Sequence, residues 1–256
     1  MKVIQSAQNK QIKEWKKLAT KKGRQKQKAY LLDGWHLVKE AFISDINISF
    51  LLVTENFKYL DEIETMNKDT HETIIISEEV ANHLSETPSP QGVFAVVSLE
   101  DTQDENIVLQ GAWLMLDAVQ DPGNIGTMVR TADAAGFSGV IFGDGTADVY
   151  QPKVVRAMQG SQFHIKVITG SLGSWIQKMH TQHMPVFGTE LNPDAKPYDT
   201  IEKQHDFAVI MGNEGNGMHK EFLQNTTCNL YIPIMGHAES LNVAVAAGIL
   251  MFQLKA

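Results

Sequence analysis

Three stretches of the sequence hold the residue types best suited to chemistry. The first, DAVQDPGNIGTMVRTADAAG (117–136), places Asn124, Gly126 and Arg130 behind the turn-forming run Asp121-Pro122-Gly123. Asn124 has the side chain of a helix N-cap. Arg130, six residues further on, carries a guanidinium with two open readings. It either pairs with a carboxylate on the surface or is aimed at a phosphate or a developing alkoxide. The second stretch, GNEGNGM (212–218), offers Gly212, Gly215 and Gly217, which let backbone approach a ligand closely or take positive φ. Its backbone N–H groups can read polar edges without steric cost. The third, PIMGHAESLN (233–242), contains Ser240, a good N-cap for the helix that follows.

Several chemistries are excluded by what these stretches lack. Gly212 to Gly217 has no G-x-x-x-x-G-K-[ST] lysine and hydroxyl, so it is not a phosphate loop. Gly143 to Asp148 puts an aspartate where a dinucleotide fingerprint needs its last glycine. Ser240 has no G-x-S-x-G elbow around it, so a serine nucleophile is not indicated. Cys228 is the only cysteine, and no Cys/His cluster has zinc-ligand spacing, so neither a disulfide nor a metal is expected.

The elements around these stretches alternate. WLMLD (113–117), GVIF (139–142), HIKVI (164–168), VFGTE (186–190), DFAVIM (206–211) and NLYIPI (229–234) read as short, nearly continuous apolar strands. Helical stretches follow at NIGTMVRTADAAG, PKVVRAMQ, SLGSWIQKMH and HKEFLQN, and a final helix runs through SLNVAVAAGILMFQL. Such alternation predicts a mostly parallel sheet with helices on both faces, where ligands collect beyond the carboxyl ends of the strands. All three chemical stretches are strand exits. The small and aliphatic composition of the last helix predicts burial on all sides.

The front of the chain differs. Asn9 can cap a helix through QIKEWKKLATKK, with Ile12, Trp15, Leu18 and Ala19 as its apolar stripe and Gly23 as its interruption. A second helix follows Gly34, and strands are expected at FLLV (50–53), TIII (73–76) and VFAVV (93–97). The expected organisation is a small α/β domain over 1–99, a polar linker over 100–111 and a catalytic α/β domain over 112–256. The chain has a net charge of −8, yet residues 1–28 hold ten Lys or Arg against one acid, Glu14. A basic end on an acidic body can attract nucleic-acid phosphate, or it can be a solvated helix face. No segment approaches the ~20 apolar residues of a membrane helix, and the start shows no secretory h-region. A cytoplasmic protein without a membrane partner is expected.

Together the motifs resemble a known family. N-x-G-x-x-x-R (Asn124, Gly126, Arg130), G-N-E-G-x-G (Gly212 to Gly217) and I-P-x-x-G…S-L-N-V (Ile232, Pro233, Gly236, Ser240 to Val243) are similar, in order and spacing, to those of the SpoU, or TrmH-type, RNA 2′-O-methyltransferases. This resemblance covers about 112–256. At the front, Ser6, Asn9, Lys10, Lys13, Leu18, Arg24 and Asp33-Gly34 resemble that family's RNA substrate-binding domain, with Asp33 where Glu is usual.

The resemblance implies a deep trefoil knot, a homodimer whose active site draws on both subunits, and S-adenosylmethionine as methyl donor. It implies cofactor contacts at Gly212, Asn213, Gly217, Ile232, Pro233 and Leu241. Arg130 would approach the ribose hydroxyl, with Asn124 and Glu214 placing it, and Ser240 and Asn242 would set the ribose–phosphate and the knot loop. Since arginine stays charged up to about pH 12, either a phosphate takes the hydroxyl proton or Arg130 acts electrostatically. Lys10, Lys13, Lys17 and Arg24 become RNA contacts, and deleting 1–28 is expected to weaken salt-sensitive RNA binding. The RNA expected is large-subunit ribosomal RNA, with a guanosine as the favoured nucleotide and transfer RNA as the alternative. A non-catalytic RNA-binding protein that keeps the fold, and a doubly wound small-molecule enzyme, are the rivals.

Overall fold

The computed structural model describes residues 2–66, 72–99 and 107–256. Residues 100–106, the greater part of the expected linker, lie outside it. The chain divides into two compact units: Met1–Glu100 with Tyr150–Phe163, and Asp101–Val149 with His164–Ala256.

The first unit begins with β1 (Lys2–Ile4), α1 (Lys10–Lys16), a single 3-10 turn at Lys17–Ala19 and α2 (Lys21–Gln27). Then come β2 (Ala29–Asp33), α3 (Trp35–Ile43), β3 (Ile48–Thr54), α4 (Leu60–Met66), β4 (Glu72–Ile76), α5 (Glu78–Leu84) and β5 (Val93–Ser98). The strands form a five-stranded sheet in the order β1-β4-β3-β5-β2. Its β1, β4 and β3 are parallel, while β5 runs antiparallel to both β3 and β2. Ile12, Trp15 and Leu18 pack with Leu52, Ile74, Ile76, Val80 and Phe94 into its core.

Asn9 caps α1 as its sequence position predicts, accepting from the Gln11 N–H at 2.8 Å. Gly23, however, does not interrupt a helix. The break falls at Thr20, whose hydroxyl accepts the Gly23 N–H and caps α2, and Gly23 lies inside α2. A Cβ at Gly23 would collide with the Lys17 carbonyl, so a side chain there would push α2 off the preceding turn.

The second unit holds β6 (Ala112–Leu116), α6 (Pro122–Ala134) and β7 (Gly139–Phe142). Next in the chain is α7 (Pro152–Met158), which lies inside the span that the sequence assigns to the catalytic domain and packs against β2 of the first unit. The second unit resumes with β8 (Lys166–Thr169), α8 (Leu172–Thr181), β9 (Val186–Thr189), β10 (Lys196–Pro197), β11 (Phe207–Met211), α9 (Lys220–Gln224), β12 (Cys228–Tyr231) and α10 (Val243–Leu254). Its seven strands order as β10-β12-β9-β11-β6-β7-β8, and every pair is parallel. The apolar strand runs are buried along their length, as a sheet covered on both faces requires. Trp113, Met115, Ile141 and Ile168 pack against Ile176, Met179 and Leu223 from the α8 and α9 side, and α10 lies along α6.

Two details depart from the sequence reading. The apolar run NLYIPI ends as a strand at Tyr231, and Ile232 to Ile234 continue outside it. Helix α10 is not covered on all sides: Ala244, Ala247, Leu250, Met251 and Leu254 are buried, whereas Val245 and Phe252 are 53% and 57% exposed.

The basic leader is thus part of a core. Deleting 1–28 would remove β1, α1 and α2 and is expected to unfold the unit, so that experiment cannot report on charge alone. The cleaner probe is Lys10, Lys13 and Lys17 changed together to Gln. All three are exposed. Thermal melting should be nearly unchanged, while the log–log salt dependence of RNA binding should flatten by roughly 0.7–0.9 per lost phosphate contact.

Candidate active site

The three strand exits converge on one side chain. At the end of β6 the chain turns into α6, whose N-cap is Asp121 rather than Asn124; the Asp121 carboxylate accepts the Asn124 N–H at 2.8 Å, and Pro122 starts the helix. Asn124, released from capping, uses both ends of its carboxamide. Its Nδ2 donates to Glu214 Oε1 at 3.1 Å, and its Oδ1 accepts from Asn242 Nδ2 at 2.9 Å. Asn242 in turn is the true N-cap of α10, its Oδ1 accepting from the N–H groups of Ala244 and Val245. Ser240 therefore does not cap that helix; its hydroxyl has no hydrogen-bond partner among the described residues and lines the cavity below.

Glu214 also binds the start of the β6–α6 loop, with Asp121 N–H on Oε1 at 3.0 Å and Gln120 N–H on Oε2 at 3.2 Å. Asn213 donates to the Ala118 carbonyl at 2.8 Å and pairs with Gly217 across the hairpin. Within that hairpin Gly217 has φ of +68°, and a Cβ at Gly212 would collide with the backbone of Gly217 and Met218. Both positions demand glycine. The base of the loop is pinned from below by Asp117, almost fully buried, which accepts the His219 N–H and sits 2.7 Å from His219 Nδ1.

These loops enclose a cavity of about 1200 Å³. Gly212, Asn213, Glu214, Gly217, Ile232, Pro233, Ser240, Leu241, Asn242 and Asn124 all line it, so ten of the residues singled out in the sequence share one wall-to-wall space. Arg130 does not. It lies on an exposed face of α6, without a hydrogen bond or ion pair among the described residues, and six residues from Asn124 amount to about 9 Å of helix. In the first unit, Lys10, Lys13 and Lys17 are exposed, Lys17 pairing with Glu14 at 2.6 Å. Arg24 corrects the expectation of an RNA contact: it is only 3% exposed, and its Nη1 donates to the Leu18 and Ala19 carbonyls at 2.8 and 3.0 Å. Its charge closes the 3-10 turn between α1 and α2.

The comparisons agree with this geometry. The SpoU rRNA Methylase family matches residues 111–252, and the MRM3-like substrate binding domain matches residues 9–95. The chain is 43% identical, over the whole of both chains, to the 23S rRNA (guanosine(2553)-2′-O)-methyltransferase RlmP of Bacillus subtilis. It is similar to the AdoMet-bound rRNA methyltransferase of Sinorhizobium meliloti, with a TM-score of 0.89, 29% identity and coverage of 99% and 97% of the two chains. A TrmH-family RNA methyltransferase of Porphyromonas gingivalis gives a TM-score of 0.85 at 30% identity, covering 96% of each chain. The chain belongs to the SpoU rRNA methylase family.

This methylase also lines its cavity with Thr189, Glu190 and Leu191, at the exit of β9, which the sequence offered only as the end of a strand. The signal available was modest: a polar pair ending an apolar run, with Leu191 beyond it 76% exposed. Asn192 holds Glu190 through a 3.2 Å bond to Oε2.

Burial would raise the pKa of Glu214, but the backbone N–H of Asp121, with Asn124 and the Gln120 N–H, outweighs it and holds the carboxyl below the usual range. A group depressed in the folded state contributes stability above its unfolded pKa and loses that contribution as pH falls through the folded value. Acidification below about pH 4.5 should therefore destabilise the wild type more than Glu214→Gln. Exposure and screening keep the difference below about 1 kcal/mol, a shift on the order of 2 °C in melting temperature. Parallel thermal melts at pH 7 and pH 4 check it; equal losses in the two proteins would remove the clamp role.

Proposed function

We propose that the chain methylates the ribose 2′-hydroxyl of a guanosine in 23S ribosomal RNA, using S-adenosylmethionine. The observation that carries this reading is the Glu214–Asn124–Asn242 relay, which holds three strand exits around one cavity. The named activity of the Bacillus subtilis relative supports the RNA and the nucleotide. RNA capture falls to the 1–99 domain and methyl transfer to 112–256.

The residues present fit S-adenosylmethionine. The cavity exceeds the range that a ligand of that size needs. Met211, Leu230, Ile232 and Leu250 give it apolar surface, while Glu190, Asn213 and the Ser240 hydroxyl give it polar groups. When bound, the sulfonium supplies an electrophilic methyl group. The chain's own residues must do the rest: the 212–217 hairpin and the 232–242 segment would hold the donor, and Ser240 would orient the ribose. A guanidinium, Arg130, would stabilise negative charge on the hydroxyl oxygen as the O–C bond forms and the S–C bond to the methyl breaks, leaving the neutral thioether S-adenosylhomocysteine, while the hydroxyl proton passes to an RNA phosphate oxygen or to solvent.

That guanidinium is missing from the cavity of its own chain, and the reading therefore includes a homodimer in which Arg130 of a second copy completes the site. Two surfaces support it. Gly123, Thr127, Arg130 and Ala134 form an exposed stripe of small residues around the arginine on α6. Helix α10 presents Val245 and Phe252 to solvent although its composition suits full burial. The trefoil knot belongs to the same reading, with 232–242 as the threaded segment beside the 212–217 hairpin. Among the described residues no helix is long and apolar enough to cross a membrane, and the cytoplasm, where ribosomal RNA is found, is the proposed site of action.

Arg130→Ala is expected to lower methyl transfer to a competent RNA by about 10²-fold or more, while S-adenosylmethionine affinity, measured by calorimetric titration, stays within about twofold. Methylation at the wild-type rate by this variant would remove Arg130 from the mechanism. Failure of the wild-type chain to bind S-adenosylmethionine would favour a non-catalytic RNA-binding protein instead.

A further inference from the structure

Arg130 and Asp133 are three residues apart on α6, a spacing that makes helix side chains neighbours and that commonly yields an Arg–Asp ion pair. They do not pair here. Among the described residues the only partner of the Asp133 carboxylate is His164, whose Nδ1 lies 2.9 Å from Asp133 Oδ2. His164 sits just ahead of β8, so it reaches α6 from another part of the same unit. Arg130 is left exposed with its guanidinium unspent.

That outcome matters for a group meant to act on RNA. A guanidinium engaged by a carboxylate in a fork of two N–H···O bonds has its donors used and its charge offset. Toward a phosphate or a developing alkoxide it would be a weaker partner. The family of α6 side chains near Arg130 offers one acid at helix-neighbour spacing, and that acid is diverted. We propose that His164 is a positioning residue for methyl transfer: by holding Asp133 it keeps Arg130 free for the RNA. The inference rests on the reading that Arg130 serves the reaction. It goes further by giving roles to two residues outside the cavity.

A plain staple between β8 and α6 would look the same in the structure but behave differently on substitution. In the proposed arrangement, His164→Ala frees Asp133 to take Arg130, and kcat/KM should fall about two- to threefold, the size of an exposed helical ion pair. Asp133→Asn should remain near wild type, because no carboxylate is left to compete. The double variant His164→Ala/Asp133→Asn should recover most of the loss. His164→Asn, whose amide can still donate to Asp133, should also stay near wild type.

For a staple, both single variants would be impaired and the double variant would be no faster than either. Methyl transfer by all four proteins, with melting temperatures to register any loss of folded protein, decides between them. Arg130→Ala belongs in the same assay. If it is as active as wild type, the reading of Arg130 fails. If it is inactive while the double variant shows no recovery, or while His164→Ala is unimpaired, the role given to His164 fails and that of Arg130 stands.

Discussion

The carboxamide of Asn124 is the joint on which the site depends. Among the described residues it is the one side chain whose hydrogen bonds reach both other strand exits, and it can do so because an amide carries a donor and an acceptor on one carbon. The donor meets the Glu214 carboxylate and the acceptor meets the Asn242 amide. Aspartate at this position would set two carboxylates against each other, and an aliphatic residue would leave both partners unmatched. Each bond is worth only about 1 kcal/mol, so the effect is one of register more than of total stability. Asn242 spends its remaining oxygen on the first N–H groups of α10. The start of α10 is thereby tied to the start of α6, and further along Gly248 lies near Thr131, where a Cβ would make an ordinary van der Waals contact at 3.6 Å.

The hairpin bearing Glu214 is fixed from two directions. Asp117, at the end of β6, takes the backbone and ring of His219 just past the hairpin. Glu214, at its tip, takes two backbone N–H groups of the β6–α6 loop. The carboxylate that the sequence offered as a catalytic group is thus largely used in holding two loops together. On this geometry it keeps Asn124 and the hairpin in place, and on the proposed reading reactive work would fall to groups whose hydrogen bonds are still unmade. Among the described residues the Ser240 hydroxyl in the cavity and Arg130 outside it have no hydrogen-bond partner.

What the sequence revealed and what it hid follow from the same distinction. Strand exits rich in Gly, Asn and charge were legible because a purely structural loop rarely needs that combination, and the parallel sheet was legible from the buried apolar runs. The caps were misplaced, with Asn124 and Ser240 in the roles that Asp121 and Asn242 fill. Each pair offers two residues able to cap, and the choice between them is made by a tertiary partner that local sequence cannot display. In the first pair the residue freed from capping is the one that lines the cavity, and in the second both Ser240 and the capping Asn242 line it. Strand β1 went unread because it is three residues long and mostly exposed. β2 was hidden between a lysine-rich helix and Gly34, and Arg24 counted as one more charge in a basic run until its carbonyl partners were visible. The packing of α7 with the first unit likewise depends on contacts far apart in the chain.

The basic leader shows how charge and structure divide the same residues. Of the front positions that resemble the RNA-binding domain, Asn9 caps a helix, Leu18 fills the core and Arg24 closes a turn. Those positions specify the platform. The exposed lysines on α1 and the 3-10 turn fill no core position, and on the proposed reading they would meet phosphate without a fixed geometry, because counterion release depends on charge density more than on precise contacts. On that reading the domain would bring RNA near by electrostatics and leave the choice of nucleotide to the Asn124-centred site, where donor and acceptor positions are set within a hydrogen bond's tolerance. An acidic body would then have a use beyond solubility, disfavouring RNA except where lysines or Arg130 offset it.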